Sequence, residues 1–238
     1  MEWWIIAAVL AYFVKGLCGF ANTLVFTTIL SFGNNNRNIS PAELLLGYPT
    51  NVIMAWKERR SIQWKICIPL SALVIAGSIP GILFLKNADN GVIRILFGFV
   101  IILVGLEMLL REIRPGRMKQ SKAGLVFIGI LSGLLCGLYG IGALLGAYVS
   151  RVTEDSHAFK ANICIVFLME NTFRIVLYVI WGILTPEIFR QALMLVPFML
   201  AGLGLGMAGS RVLDERIVKK IVILMLIISG VALIGNSL

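Results

Sequence analysis

Apolar stretches near the roughly 20-residue length of a membrane-crossing helix fall at 42–56, 66–85, 91–110, 158–181, 188–209 and 217–235. Short polar stretches separate them. Two further apolar runs, Trp3 to Phe32 and Ala123 to Val149, are broken internally by glycine. The first contains Gly16-Leu17-Cys18-Gly19-Phe20-Ala21-Asn22-Thr23, and the second Gly133-Leu134-Leu135-Cys136-Gly137-Leu138-Tyr139-Gly140-Ile141-Gly142. The pattern predicts eight helical segments, the first and fifth interrupted. Glycine costs about 1 kcal/mol against alanine inside a helix and admits other backbone conformations. Irregular backbone at membrane depth is tolerated only where protein or a water-filled cavity surrounds it. The breaks are therefore candidate sites; the plainer alternative is that their glycines serve close helix packing alone.

Composition turns apolar helices into a membrane protein. Of 238 residues, 59% are hydrophobic and only 14% charged, with mean hydropathy +0.93, outside the range of soluble domains. No connecting stretch is long enough for an extramembrane domain. Met1-Glu2-Trp3-Trp4 lacks the basic start of a secretory signal, so the first segment is expected to be retained. Cys18, Cys67, Cys136 and Cys164 lie in or beside apolar segments without metal-ligand spacing, and the single His157 supplies no cluster. Neither metal nor cofactor is expected. The net charge of +9 fits cytoplasmic loops of a membrane protein and not a nucleic-acid partner.

The chain reads as two repeats, 1–115 and 116–238. Residues 76–110 align with 201–235 at an offset of 125, pairing Gly77, Gly81 and Gly105 with Gly202, Gly206 and Gly230; Leu17-Cys18-Gly19 aligns with Leu135-Cys136-Gly137 at an offset of 118. Loop charge then discriminates between topologies. If all eight segments cross, ten loop Lys and Arg residues lie on one side and nine on the other. If each interrupted run is a re-entrant hairpin, fifteen share a side, among them Lys57, Arg59, Arg60, Lys65, Arg151 and Lys160, against Arg37, Lys86, Arg94 and Arg190. Because such bias sets orientation, the hairpin topology is preferred. It leaves three crossings per half, which inverts the second half relative to the first. The expected fold is an all-α polytopic membrane protein of two inverted repeats, a recurring transporter plan.

The glycine-rich opening of each half, the small-residue stretches Gly77-Ser78-Ile79-Pro80-Gly81 and Gly202-Leu203-Gly204-Leu205-Gly206, and the loop from Arg60 to Ile62-Gln63-Trp64 resemble the TauE/SafE family of sulfite and organosulfonate exporters over almost the full length. The family usually has a denser glycine cluster followed by proline; here Phe20-Ala21-Asn22 stands in the first break, and no proline follows either. The resemblance implies a bacterial inner-membrane protein that exports a small sulfur-containing or related organic anion.

Substrate-binding candidates gather at the breaks and in the sixth segment: Lys15, Gly19, Asn22, Thr23, Asn51, Gly137, Tyr139, Gly140, Asn171 and Arg174. A cation in an apolar run is a functional candidate by default, although Lys15 has the alternative of snorkelling to the interface. Asn22, Thr23 and half-helix N-termini are donors suited to an anion. Glu170 and Arg174, four apart, share a helix face. They read either as an internal ion pair or as an anion-binding fork whose neighbouring carboxylate serves as counter-charge or proton carrier. Glu107 and Arg111 read as an interfacial pair, Asp89 and Asp214 as helix caps, and Glu43, two residues after Pro41, as an acid in a first helical turn. The expected partners are a small anion, the bilayer and an optional coupling proton; oligomeric state is left open. Two other classes were weighed. A membrane-embedded enzyme lacks a catalytic constellation, and a non-transporting scaffold does not account for buried charges and paired breaks. In a background without the native cysteines, single cysteines at positions 35 and 238 are expected to react with an impermeant maleimide on intact cells, and those at 59 and 117 to stay protected. Labelling of 35 and 238 from opposite faces would overturn both the hairpins and the inversion.

Overall fold

Without water to take up backbone N–H and C=O groups, apolar runs at membrane depth must satisfy them internally, and a helix does so within one segment. The computed structural model describes residues 2–31, 36–87, 122–140, 142–153 and 155–210, with isolated helical positions between 98 and 110 and between 220 and 235. Among them every regular element is helical. In chain order these are α1 (Glu2–Cys18), α2 (Asn22–Ser31), α3 (Asn36–Lys57), a 3₁₀ turn (Arg59–Ser61), α4 (Trp64–Asn87), α5 (Lys122–Tyr139), α6 (Ala143–Val152), α7 (Ser156–Ile180) and α8 (Pro186–Gly209).

The expected spans 66–85, 158–181 and 188–209 are α4, α7 and α8, each long and apolar enough to cross a bilayer; α5 is a shorter apolar helix. The stretch 42–56 is the C-terminal part of α3, which begins earlier, at Asn36, and runs through Pro41 and Pro49. Asp155 caps α7 by accepting from the Ala158 N–H at 2.7 Å, and Thr185 caps α8 ahead of Pro186. The expected spans 91–110 and 217–235 fall largely outside the described residues, as do Asn34, Asn35, Asp89, Glu107, Arg111, Arg117, Asp214 and 236–238.

Helix directions follow from the contacts. The Trp4 ring meets Phe26 edge-on, centroids 5.7 Å apart, so α2 folds back along α1. Gly202 lies against Val9 and Gly206 against Phe13 and Gly16, hence α1 and α8 run in the same direction. Gly77 lies against Ile130 and Gly81 against Leu134 and Gly137, so α4 and α5 also run in the same direction. In contrast, Ser40 meets Tyr178 at 3.2 Å, Thr172 donates to Tyr48 at 3.3 Å, and Glu58 meets His157 at 2.8 Å, which makes α3 and α7 antiparallel. Exchanging α1–α4 with α5–α8 reproduces the pairing: α1 with α8 becomes α5 with α4, α3 with α8 becomes α7 with α4, and α2 with α3 becomes α6 with α7.

At Gly77, Gly133, Gly202 and Gly206 a methyl group would collide with backbone of the facing helix. Small residues of this kind let helices touch where lipid supplies no hydrophobic drive. The outward faces carry exposed Phe127, Ile180, Leu193 and Leu205, an apolar surface suited to a membrane. Gly204, two residues from Gly206 on the same helix, faces open space. We expect Gly206→Ala to cost about 1–3 kcal/mol through overpacking, and Gly204→Ala to be neutral or stabilising by up to about 1 kcal/mol. Thermal unfolding of the two variants in detergent measures the difference, and equal effects would show that the α1–α8 approach does not require the glycine.

Candidate functional site

Each break is a left-handed kink closed by the same hydrogen bonds. At the first, Gly19 (φ 90°) donates its N–H to the Lys15 carbonyl at 2.7 Å, Ala21 (φ 71°) is also left-handed, and the Val25 N–H returns to the Ala21 carbonyl. At the second, Gly140 (φ 71°) donates to the Cys136 carbonyl at 2.7 Å and Gly146 to Gly142. Residues 15, 19, 21 and 25 thus correspond to 136, 140, 142 and 146, an offset of 121. The expected alignment of Cys18 with Cys136, at 118, is one turn out of register. A three-residue shift on a helix keeps much the same face, so the glycine spacing satisfied both registers.

The two breaks meet. Asn22, Thr23 and Ala21 from the first, Gly140 and Gly142 from the second, Lys15 on α1, Glu43 and Asn51 on α3, and Phe167, Asn171 and Arg174 on α7 line one small cavity of about 20 Å³, room for a water molecule. Seven of the expected residues are therefore brought together: Lys15, Asn22, Thr23, Asn51, Gly140, Asn171 and Arg174. Three others lie off the cavity wall. Gly19 abuts Lys160, Gly137 packs against Ser78 of α4, and Glu170 sits behind Arg174 on α7. Tyr139 is the last residue of α5; its side chain lies outside the described residues.

Lys15 is 1% exposed and donates from Nζ to Asn51 Oδ1 at 2.6 Å, with the Tyr12 ring 5.9 Å away. The ammonium is held inside the protein and does not snorkel. Arg174, also 1% exposed, donates from one terminal nitrogen to the Cys136 carbonyl and from the other to Asn171 Oδ1 at 3.5 Å. Its Nε faces Glu170 Oε1 at 3.8 Å, and neither atom has a hydrogen-bond partner among the described residues. The ion pair expected between them is thus a charge contact only, because the fork is turned to the second break. A Cβ on Gly140 would stand 3.2 Å from both terminal nitrogens of Arg174 and 3.1 Å from Thr23 Cγ2, so glycine is what admits the guanidinium there. Besides packing, cysteines also donate at the first break: Cys18 Sγ to the Phe20 carbonyl at 3.1 Å, and Cys164 Sγ to the Gly19 carbonyl at 3.6 Å.

Glu43 corrects its sequence reading. With α3 starting at Asn36, it lies two turns inside the helix, 3% exposed, accepting from the Asn22 side-chain amide. Pro41 had suggested a helix start. The signal available in the sequence was the acid itself, placed within an otherwise apolar stretch.

The cavity wall thus carries two cations, one acid, three amide side chains and irregular backbone, and the guanidinium, ammonium and amide donors are groups that can hold an anion. A family profile described as sulfite exporter TauE/SafE matches residues 4–233. The chain belongs to the TauE/SafE sulfite exporter family. No curated protein and no solved structure matches it. In this TauE/SafE protein the Lys15–Asn51 bond ties the first break to α3, and its loss is testable. Asn51→Leu leaves a buried ammonium without its hydrogen-bond acceptor and is expected to cost about 1.5–3 kcal/mol, whereas Lys15→Met with Asn51→Leu should cost clearly less than the sum of the single changes. Denaturant unfolding of all four proteins in detergent measures the coupling, and strict additivity would show that the contact contributes nothing.

Proposed function

We propose that the chain is a secondary transporter that exports a small sulfur-containing or related organic anion across the bacterial inner membrane, with Lys15, Asn22, Thr23, Asn51, Gly140, Asn171 and Arg174 forming its substrate site. One observation carries the reading: two helix breaks bring two fully buried cations to one cavity. Family membership supports the substrate class.

The halves, 1–115 and 116–238, are inverted repeats in this proposal, and the interrupted runs are re-entrant hairpins. Support comes from α3 and α7 being antiparallel while α1 matches α8 and α4 matches α5 in direction. Eight uninterrupted crossings would make α3 and α7 parallel. Contact of Glu58 with His157 likewise sets the basic stretch around Arg59 and Arg60 at the same end as Lys160, the cytoplasmic end by charge bias. The polar and charged side chains that line the space are buried inside the protein. Access from either side then requires one half to rock against the other. For an anion that moves alone, an inside-negative potential favours exit by about 2.3 kcal/mol per charge per 100 mV.

Arg174 supplies the fork that an oxyanion needs. In proteoliposomes, Arg174→Gln is expected to abolish anion efflux and Arg174→Lys to retain part of it, since lysine keeps the charge and loses the fork. Because Arg174→Gln also strands Glu170, the double change Glu170→Gln with Arg174→Gln is measured beside it. Native-rate transport by a normally inserted double variant would show the pair to be structural and remove Arg174 from the site.

A further inference from the structure

Three ionisable side chains line the cavity, the cationic Lys15 and Arg174 and the acidic Glu43, and a second acid, Glu170, stands against Arg174 off the wall; all four are at most 3% exposed. Their formal charges cancel when both acids are ionised, so an arriving anion would leave a net negative charge in a medium where an uncompensated charge is costly. A second positive charge must accompany it. The two acids differ in what holds them. Glu170 faces the Arg174 guanidinium at 3.8 Å. Glu43, among the described residues, has no cation within ion-pair distance; its carboxylate accepts from the Asn22 amide and the Thr23 hydroxyl, and Gly47 on its own helix admits that carboxylate, since a Cβ there would stand 3.2 Å from Oε1.

We propose that Glu43 carries the charge-balancing proton, so that the protein moves an anion and a proton together and its loaded and empty sites are both electroneutral. The proposal rests on the anion-exporter reading above and adds the coupling ion and its carrier. Every group facing Glu43 fits that role. From α1 come Lys15 and the buried Tyr12, whose hydroxyl donates to the Glu43 carbonyl at 3.3 Å, from α2 the neutral Asn22 and Thr23, and from α7 Arg174 with Glu170 behind it; α8, which packs on α3, buries only uncharged side chains. In the empty site the ionised Glu43 carboxylate takes the amide of Asn22. When the anion binds, a proton from water neutralises that carboxylate, which then releases the amide to the anion. On discharge anion and proton leave on the same side, and the ionised carboxylate returns to Asn22. No bond other than O–H forms or breaks.

The test is flux against membrane potential in proteoliposomes, with methanesulfonate, which takes up no proton in the working pH range, and sulfite as probes, and a pH dye reporting proton movement. For the wild type, the distribution at steady state is expected to ignore an imposed potential, and methanesulfonate flux to move protons with it. In Glu43→Gln, where the site holds a fixed net positive charge when empty, the distribution should follow the potential, approaching roughly 50-fold per 100 mV for a single charge, without proton movement. Sulfite itself binds a proton near neutrality, so for that probe the contrast between the two proteins is the readout. Wild-type transport of methanesulfonate that follows the potential overturns the coupling while leaving the exporter reading standing, and it does so even if Glu43→Gln fails to fold. A folded Glu43→Gln protein that still moves protons with methanesulfonate overturns Glu43 as the carrier. Absence of flux for both anions in the wild type overturns the exporter reading and the coupling together.

Discussion

A helix that stops at membrane depth strands backbone N–H and C=O groups, each costing several kcal/mol if left unpaired in hydrocarbon. Both breaks meet this constraint with their own last turn and with side chains brought from elsewhere. At the first, thiols of Cys18 and Cys164 reach the Phe20 and Gly19 carbonyls. At the second, the Cys136 carbonyl accepts both the Gly140 N–H and the Arg174 guanidinium. The cation best suited to an anion is therefore also the group that completes the break, and its position is set by backbone geometry instead of by Glu170.

Where the breaks meet is decided farther away, in the glycine contacts of α1 with α8 and of α4 with α5. Helices in lipid gain little by hiding apolar surface from one another, so close backbone approach is what fixes their register. Gly202 and Gly206 seat on Val9 and Phe13, while Gly77 and Gly81 seat on Ile130 and Leu134. Gly77 and Gly202, and likewise Gly81 and Gly206, stand at the sequence offset of 125, and they make equivalent contacts in the two helix pairs. Each pair locks the opening helix of one half to the third segment of the other, which draws both kinks toward the shared center.

Glycine made most of this legible in the sequence, because a missing Cβ matters both at a kink and at a close approach. The breaks, the third-segment pairs and the long spans α4, α7 and α8 could all be read from residue type and spacing. Register at the breaks could not, since Cys18 and Cys136 offered an identity one turn away from the geometric match of Gly19 with Gly140. Asn51 and Asn171 were legible as candidates and both reach the cavity. Glu43 was hidden by Pro41, a residue that more often marks a helix start in soluble proteins but is tolerated inside α3. Arg174 was identified, yet its partner was not. A backbone carbonyl leaves no mark in sequence, whereas Glu170 at i−4 is an obvious and here secondary neighbour.

The backbone repeats, but the charges do not. Lys15 corresponds to Cys136 by the offset at the breaks, and Arg174 to Met54 by the offset of 120 that pairs Asn51 with Asn171. Each half thus contributes one cation, from α1 in the first and from α7 in the second, at a position that is neutral in its counterpart. Under the proposed inverted repeat, a backbone that could open equally to either side carries side chains that differ between the halves. Lys15–Asn51, Asn22–Glu43 and Arg174–Cys136 each lie within one proposed half, so rocking of one half against the other leaves these contacts intact. What the motion changes is the separation of Lys15 from Arg174, one cation from each proposed half, and an anion held by both would tie the halves together. The direction of net flow belongs to the gradients and not to these contacts.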